Sequence, residues 1–209
     1  MNNRKAIFVP NIVNYALQDF PLYFELGVAH ILDWQGYDHI LFLVALCGVY
    51  TWPEWRQVLG LVTAFTLGHS ISLALSLFNK IPISVAFIEF LIPVTILVSA
   101  SINIISKKQT SGSRPFIYFL AMLFGLIHGL GFSNYLKSLI GPNILNQLLA
   151  FNVGLEIGQL FIVIFTLGIS YIVVQVLHVS RREWNLFLSS AIFGIALTMS
   201  LSRLSPLFV

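Results

Sequence analysis

Charged residues are scarce in this sequence: Asp, Glu, Lys and Arg make up 9% of its 209 residues, whereas 57% are hydrophobic. A soluble domain carries roughly 25% charged residues, so too few are present here to cover a globule with a polar surface. A helix that crosses a bilayer needs about 20 mostly apolar residues, which leaves room for about six such helices. The composition therefore excludes a separate soluble catalytic domain and predicts an integral membrane protein.

Cysteine is nearly absent as well. The single Cys47 lies in an apolar run, so it forms no intrachain disulfide and provides no thiolate cage for a soft metal ion. The eleven Lys and Arg residues are scattered between apolar runs and form no basic cluster of the kind that binds nucleic acid. We therefore expect a lipid bilayer as partner and no nucleic acid. The first residues are too polar, and their apolar stretch is too short, to predict a signal peptide.

The distribution of apolar runs predicts an all-α, polytopic transmembrane helix bundle forming a single membrane domain, 1–209. Residues 1–35 include a short amphipathic stretch that is expected to lie at the interface or to re-enter the membrane. Loops rich in Pro, Gly and Ser separate the apolar runs. The predicted spans are 36–50, 56–78, 83–105, 115–136, 148–177 and 184–204.

The basic residues near the predicted loops indicate an orientation. Six of them flank the loops after the first, third and fifth spans, namely Arg56, Lys107, Lys108, Arg114, Arg181 and Arg182. Three lie on the other side, Lys80, Lys137 and Arg203. Because positively charged loops stay in the cytoplasm, both termini are predicted to be extracytoplasmic.

Ionisable side chains inside the spans carry the chemistry, because each costs a few kcal/mol in hydrocarbon and usually marks an ion site or path. They are His69, Glu89, His128 and Glu156, with Asp38 and His39 at the start of the first span. Counted from the flanking basic residues, these positions fall at the middle or in the outer half of their spans. A single buried histidine often only bonds to a neighbouring helix, whereas a set at one depth favours a site that opens outward.

Imidazole and carboxylate ligands together suit borderline divalent ions such as Ni²⁺, Co²⁺ and Zn²⁺. Polar neighbours recur at helical spacing and are candidates for a path or for supporting contacts: Thr66, Ser70, Asn152 and Gln159, together with Asp33 and Glu89. Two pairs of glycines, Gly125 with Gly129 and Gly154 with Gly158, predict close helix packing beside His128 and Glu156.

Five strings resemble those of the HupE/UreJ family of membrane proteins, which is associated with hydrogenase and urease accessory functions and regarded as a family of nickel or cobalt permeases. They are LGVAHILDWQGYDHILF at 26–42, VTAFTLGHSISL at 62–73, IEFLIP at 88–93, FGLIHGLGF at 124–132 and FNVGLEIGQL at 151–160. His30 with Asp38 and His39 is also similar to the His and Asp-His signature of nickel and cobalt permeases, although the spacing here is wider.

The resemblance implies that His30, Asp38 and His39 capture the ion at the outer mouth, and that His69, His128 and Glu156 hold it deeper. It implies a divalent transition metal as substrate or bound ion and a place in the bacterial inner membrane, and a homo-oligomer is compatible with it. Release inward would be coupled to protonation of the ligands, since they bind metal only when deprotonated.

Two other functions fit the same residues. A Zn²⁺ ion with an open coordination position could activate water for hydrolysis in the membrane, with Ser70 and Glu156 as participants. The sequence contains neither an H-E-x-x-H helix nor a G-x-S-x-G turn. A metal-binding accessory or sensor protein would bind the ion without moving it. A transporter is favoured over an enzyme, and a polar lining that continues to the cytoplasmic side would distinguish a permease.

Overall fold

The computed structural model describes residues 9–77, 84–106, 114–141 and 143–208, and seven α-helices account for most of them. In chain order the helices are α1 (Val9–Leu32), α2 (Asp38–Cys47), α3 (Trp55–Leu77), α4 (Val85–Ile105), α5 (Arg114–Leu139), α6 (Ile144–Tyr171) and α7 (Arg181–Ser202). A 3₁₀ turn, Trp52–Glu54, precedes α3, and a π-helical turn, Ile172–Val176, continues α6. The predicted span ends at residues 78 and 83 lie outside the described residues.

Five helices, α3 to α7, are long and apolar enough to cross a membrane. The all-α membrane bundle predicted from the composition is therefore confirmed. The segment predicted as the first of six spans instead forms α2, a helix of only 10 residues. At 1.5 Å per residue, α2 is about 15 Å long, roughly half the thickness of the hydrocarbon core, so it cannot cross alone.

A short non-helical segment separates α1 from α2. The N-terminal segment is longer than the sequence indicated, because α1 has 24 residues and is apolar over Phe20–Leu32. It ends before residues 33–37, and α2 begins at Asp38. The ring of His30, near the end of α1, lies 4.6 Å from the ring of His39, at the start of α2. In one continuous helix these two histidines would lie farther apart. The break between α1 and α2 therefore brings their rings together.

Glycines allow two pairs of helices to approach at backbone distance. In the pair α3 and α5, a Cβ at Gly68 would collide with the carbonyl oxygen of Met122, and one at Gly125 with that of Phe65. In the pair α1 and α6, a Cβ at Gly154 would collide with the carbonyl oxygen of Phe24. The close packing predicted at the two glycine pairs is confirmed, because Gly129 and Gly158 also lie against the neighbouring helix.

The bundle has two distinguishable ends. At one end, which we call the pocket side, Arg203 donates to the carbonyl oxygen of Glu89 at 2.9 Å. At the other end, the opposite side, Arg181 pairs with Glu54 at 2.6 Å, and Arg182 donates to the carbonyl oxygen of Ile104 at 2.9 Å. Helices α4 and α7 therefore run antiparallel, with polar contacts that tie their ends together.

The glycine contacts make a testable prediction about stability. Gly68→Ala places a methyl group against the backbone of α5, so we expect the free energy of unfolding to fall by about 1–3 kcal/mol. Gly194→Ala is the matched control, because a Cβ there meets nothing within 4 Å. Thermal unfolding of the purified protein in detergent measures both variants. Equal melting temperatures for the two would show that the close approach of α3 and α5 does not stabilise the bundle.

Candidate metal centre

Four histidines from four helices meet at one place in the bundle. They are His30 on α1, His39 on α2, His69 on α3 and His128 on α5. The His39 ring lies 5.1 Å from the ring of His128 and 6.1 Å from that of His69, and the rings of His30 and His69 are 5.8 Å apart. We call these four side chains the histidine cluster. The family resemblance implied that His30 and His39 lie at the outer mouth and His69 and His128 deeper. In the structure all four belong to one cluster.

Three members of the cluster have the geometry of a metal-ligand group. One ring nitrogen each of His30, His39 and His69 lies within 4.8 Å of the other two. Ligand nitrogens around a single Zn²⁺-like ion lie about 2.0–2.1 Å from it, so small rotations of the rings would bring these atoms to coordination distance. His128 is not part of this group of three, although its ring lies 5.1 Å from that of His39.

Hydrogen bonds fix which nitrogen two of these rings leave free. Nδ1 of His128 lies 2.8 Å from the carbonyl oxygen of Phe124, and Nδ1 of His39 lies 3.1 Å from a carboxylate oxygen of Asp38. A carbonyl or carboxylate oxygen accepts, so each Nδ1 carries the proton and donates it. Nε2 then has a free lone pair in both rings. A histidine that donates its other N–H to a carboxylate or carbonyl is the usual arrangement at a metal.

The free nitrogens are buried and unpartnered. Among the described residues, no hydrogen-bond partner is found for Nε2 of any of the four histidines, nor for Nδ1 of His69. His69 and His128 have no exposed surface. A buried polar atom without a partner costs about 1–3 kcal/mol, and here several such atoms face one another. Their arrangement indicates a place where a ligand supplies the missing partner.

A pocket leads from the pocket side to the cluster. It has a volume of about 740 Å³. The exposed carboxylates of Asp33 and Glu89 lie at its mouth. The buried Asp38 lines it together with Arg203 and three of the histidines, His30, His39 and His128. The non-helical residues between α1 and α2 contribute Asp33 and Gly36, which fits the rule that irregular backbone at membrane depth lines a cavity.

Asp38 supports the cluster from its side. One carboxylate oxygen accepts the backbone N–H of His39 at 2.9 Å and faces the His39 ring, and the other lies 3.6 Å from the guanidinium of Arg203. This carboxylate therefore orients His39 and supplies negative charge beside the free nitrogens. The sequence assigned Arg203 only a topological role. Nothing in the spacing links the end of α7 to Asp38, so this contact appears only in the folded chain.

Glu156 is not a member of the group formed by His30, His39 and His69. The hydroxyl of Thr63 donates to its carboxylate at 2.7 Å, across the interface of α3 and α6. The hydroxyl of Thr66 makes a similar contact with the side-chain oxygen of Gln159 at 2.8 Å. The ionisable residues that were predicted to share one depth in the membrane therefore lie in two places, the histidine cluster and the interface of α3 and α6.

The remaining candidates occupy different surroundings. The Ser70 hydroxyl donates to the carbonyl oxygen of Thr66 in its own helix at 2.7 Å. The Asp33 carboxylate is exposed and accepts the backbone N–H of Gln35 at 2.8 Å, which stabilises the turn after α1. Glu89 is exposed at the pocket mouth. Asn152 has a buried side-chain oxygen for which the described residues offer no partner.

Aromatic rings enclose the cluster. They were not among the residues predicted from the sequence. The Phe132 ring lies 3.8 Å from the His30 ring, and the rings of Phe42 and Phe65 lie 5.2 Å and 5.3 Å from that of His128. These rings exclude water and lower the local dielectric around the nitrogens. A signal was present, because Phe65 precedes His69 by four residues and Phe132 follows His128 by four, the spacing of neighbours on one helix face.

One comparison with known proteins identifies a family for this chain. The family described as "HupE / UreJ protein" matches residues 5–203, nearly the whole chain. No curated protein and no solved structure matches. Every histidine of the cluster and each of the five strings quoted above fall within the matched region. The chain belongs to the HupE/UreJ family.

Proposed function

We propose that this protein is a membrane permease for a divalent transition-metal ion, with Ni²⁺ or Co²⁺ as its substrate, and that the histidine cluster binds the ion. The observation that supports it is the convergence of unpartnered ring nitrogens from four helices, at the end of a pocket. Imidazole nitrogens suit Ni²⁺, Co²⁺ and Zn²⁺, whereas Mg²⁺ and Ca²⁺ prefer oxygen. The HupE/UreJ family is regarded as a family of nickel or cobalt permeases, and this favours these two ions over zinc.

In this proposal the residues at the pocket mouth act before the ion is bound. The carboxylates of Asp33 and Glu89 raise the local concentration of cations at the entrance. Inside, His30 and His39 replace part of the hydration shell first, and His69 and His128 complete the coordination. Asp38 holds the His39 ring in place and offsets part of the charge of the ion. The surrounding phenylalanines exclude water, so the ion exchanges water ligands for nitrogens.

The alternative of a zinc-dependent hydrolase has less support. It requires Ser70 or Glu156 to act at the ion as nucleophile or base. The Ser70 hydroxyl donates to the carbonyl oxygen of Thr66, and the Glu156 carboxylate accepts from Thr63 at the interface of α3 and α6. Neither group is directed by these contacts toward the cluster. An accessory protein that binds the ion without transport shares the cluster and differs in the transport measurement below.

We also propose that the pocket side faces away from the cytoplasm. Arg181 and Arg182 lie together at the opposite side, where they bond to Glu54 and to the end of α4. The positive-inside rule places that side in the cytoplasm. The ion would then enter from the extracytoplasmic side, and the end of α7, followed by Arg203, would lie there too.

Removal of single histidines tests the binding site. In His69→Ala or His128→Ala we expect the affinity for Ni²⁺ and Co²⁺ to fall by about 100-fold or more, since even partners that only orient a ligand contribute about 10–100-fold. His178→Ala is the matched control, because His178 lies in the loop before α7, outside the pocket lining. Isothermal titration of the purified protein measures the affinity. Unchanged binding in both cluster variants would contradict the proposed site.

Reporter fusions test the orientation. Alkaline phosphatase is active only outside the cytoplasm and green fluorescent protein fluoresces mainly inside it. When each is fused after Val209, we expect phosphatase activity and little fluorescence, because the end of α7 lies on the pocket side. The same reporters inserted in the loop before Arg181 should give the reverse pattern. Fluorescence from the C-terminal fusion would place the pocket in the cytoplasm.

A pH gradient tests the coupling to protons. Protons compete with metal for imidazole nitrogen, so metal binding weakens as the pH falls. In proteoliposomes with the pocket outside, we expect uptake of Ni²⁺ to be faster when the lumen is more acidic than the medium, because protonation favours release into the lumen. Uptake at the same rate with and without the gradient would contradict the coupling to protons. Binding of Ni²⁺ without uptake would favour the accessory function.

A further inference from the structure

The inner part of the bundle contains a second polar group that the histidine cluster does not use. It consists of the two contacts between α3 and α6, Thr66 with Gln159 and Thr63 with Glu156. Gln159 has no exposed surface and Thr66 is buried. Thr and Gln often bond between membrane helices, but an ionisable residue there is costly and usually marks an ion path, so Glu156 requires a reason beyond helix packing.

The group begins where the cluster ends. Along α3, Thr63, Thr66 and His69 follow one another at intervals of three residues, each interval rising about 4.5 Å along the axis. From His69 to Thr63 the path therefore covers about 9 Å toward the start of α3. That start, at Trp55, follows Glu54, which pairs with Arg181 on the opposite side. The polar contacts thus extend from the cluster away from the pocket.

One side-chain atom of Gln159 has no hydrogen-bond partner among the described residues. The hydroxyl of Thr66 lies 3.1 Å from the carbonyl oxygen of Val62 and 2.8 Å from the amide oxygen of Gln159, yet it has one proton to donate. The amide nitrogen of Gln159 is buried and has no partner among the described residues. With the amide turned over, Gln159 donates to Thr66, and Thr66 donates to Val62. The unpartnered atom is then a buried carbonyl oxygen, which is a ligand for a cation.

Glu156 supplies the charge beside this oxygen. It precedes Gln159 by three residues, so both side chains lie on one face of α6. Within the described part of the chain, no Lys, Arg or His makes an ion pair with Glu156, although the carboxylate is only partly exposed. A carboxylate in hydrocarbon surroundings without a cationic side chain is an expected place for a mobile cation.

We propose that Glu156, Gln159 and Thr63 form a second cation site, made of oxygen ligands, through which the divalent ion leaves the histidine cluster toward the opposite side. This inference rests on the proposed function and adds the exit path to it. Nickel and cobalt bind oxygen ligands less tightly than imidazole, so such a site is weaker than the cluster. A weak site after a strong one allows the ion to leave, because conduction requires that binding not be too tight at the last position.

The test separates binding at the cluster from passage through the bundle. Glu156→Gln keeps the shape of the side chain and removes its charge, and Gln159→Leu removes the amide oxygen. For both variants we expect unchanged affinity for Ni²⁺ at the cluster, measured by titration in detergent. Uptake of Ni²⁺ into proteoliposomes containing a metal-sensitive dye should fall by about tenfold or more. Glu156→Asp, which keeps the carboxylate, should recover part of the uptake.

Two controls are matched to these variants. Ser200→Ala removes a buried polar group on α7 whose hydroxyl bonds only to its own helix, at the Ala196 carbonyl oxygen. Glu25→Gln removes the charge of an exposed carboxylate on α1. Both should bind and transport like the wild type. Gel filtration reports on folding, and Thr63→Val provides a milder change should Glu156→Gln aggregate, with reduced uptake and normal binding expected.

The outcomes distinguish this inference from the function it rests on. Wild-type uptake rates in both Glu156→Gln and Gln159→Leu would overturn the exit site and leave the permease intact. Loss of cluster binding in Glu156→Gln would also overturn it, because Glu156 would then belong to the first site. If the wild type binds Ni²⁺ but does not transport it, both the exit site and the permease function are overturned, and the chain is a metal-binding protein. A wild type that binds no divalent transition metal would overturn both proposals.

Discussion

Close contact between helix backbones determines where the histidines lie. Gly129 directly follows His128, and a Cβ on it would collide with the backbone of His69. Gly158 lies against Val28 and Ile31, on either side of His30 in sequence. In a bilayer no hydrophobic effect drives helices together, so small residues that permit such contact largely determine which helices pair. The same contacts that hold the bundle together therefore set the distances between the ring nitrogens.

The histidine cluster opposes stability in the absence of a ligand. Its ring nitrogens are buried without partners, whereas the neighbouring phenylalanines pack tightly around them. Each unpartnered atom costs free energy, and the aromatic packing and glycine contacts offset that cost. Bound metal would remove it, because a ligand that binds only the folded state stabilises that state. The cluster is thus a local weakness that the rest of the fold supports.

The sequence predicted the helical membrane fold and the types of residue in the cluster, because ionisable side chains stand out in apolar runs. It predicted the close packing at Gly125 and Gly154 from their spacing. The distance in sequence from the membrane boundary indicates depth but not rotation about the helix axis, so the contact of Glu156 with Thr63 could not be predicted. The boundary between residues 35 and 36 was predicted and falls between α1 and α2, but the length of α2 was wrong, since apolar composition alone does not distinguish ten helical residues from a span. Contacts between distant parts of the chain, such as Arg203 with Asp38, leave no local pattern.

The break between α1 and α2 also divides the cluster into two halves of different origin. His30 and His39 belong to two helix ends joined by a short linker, so their proximity is local in the chain. His69 and His128 are held by the contact between α3 and α5, so they form a second unit. A displacement of one unit against the other would therefore change the distances between their ring nitrogens while every ring keeps its rotamer.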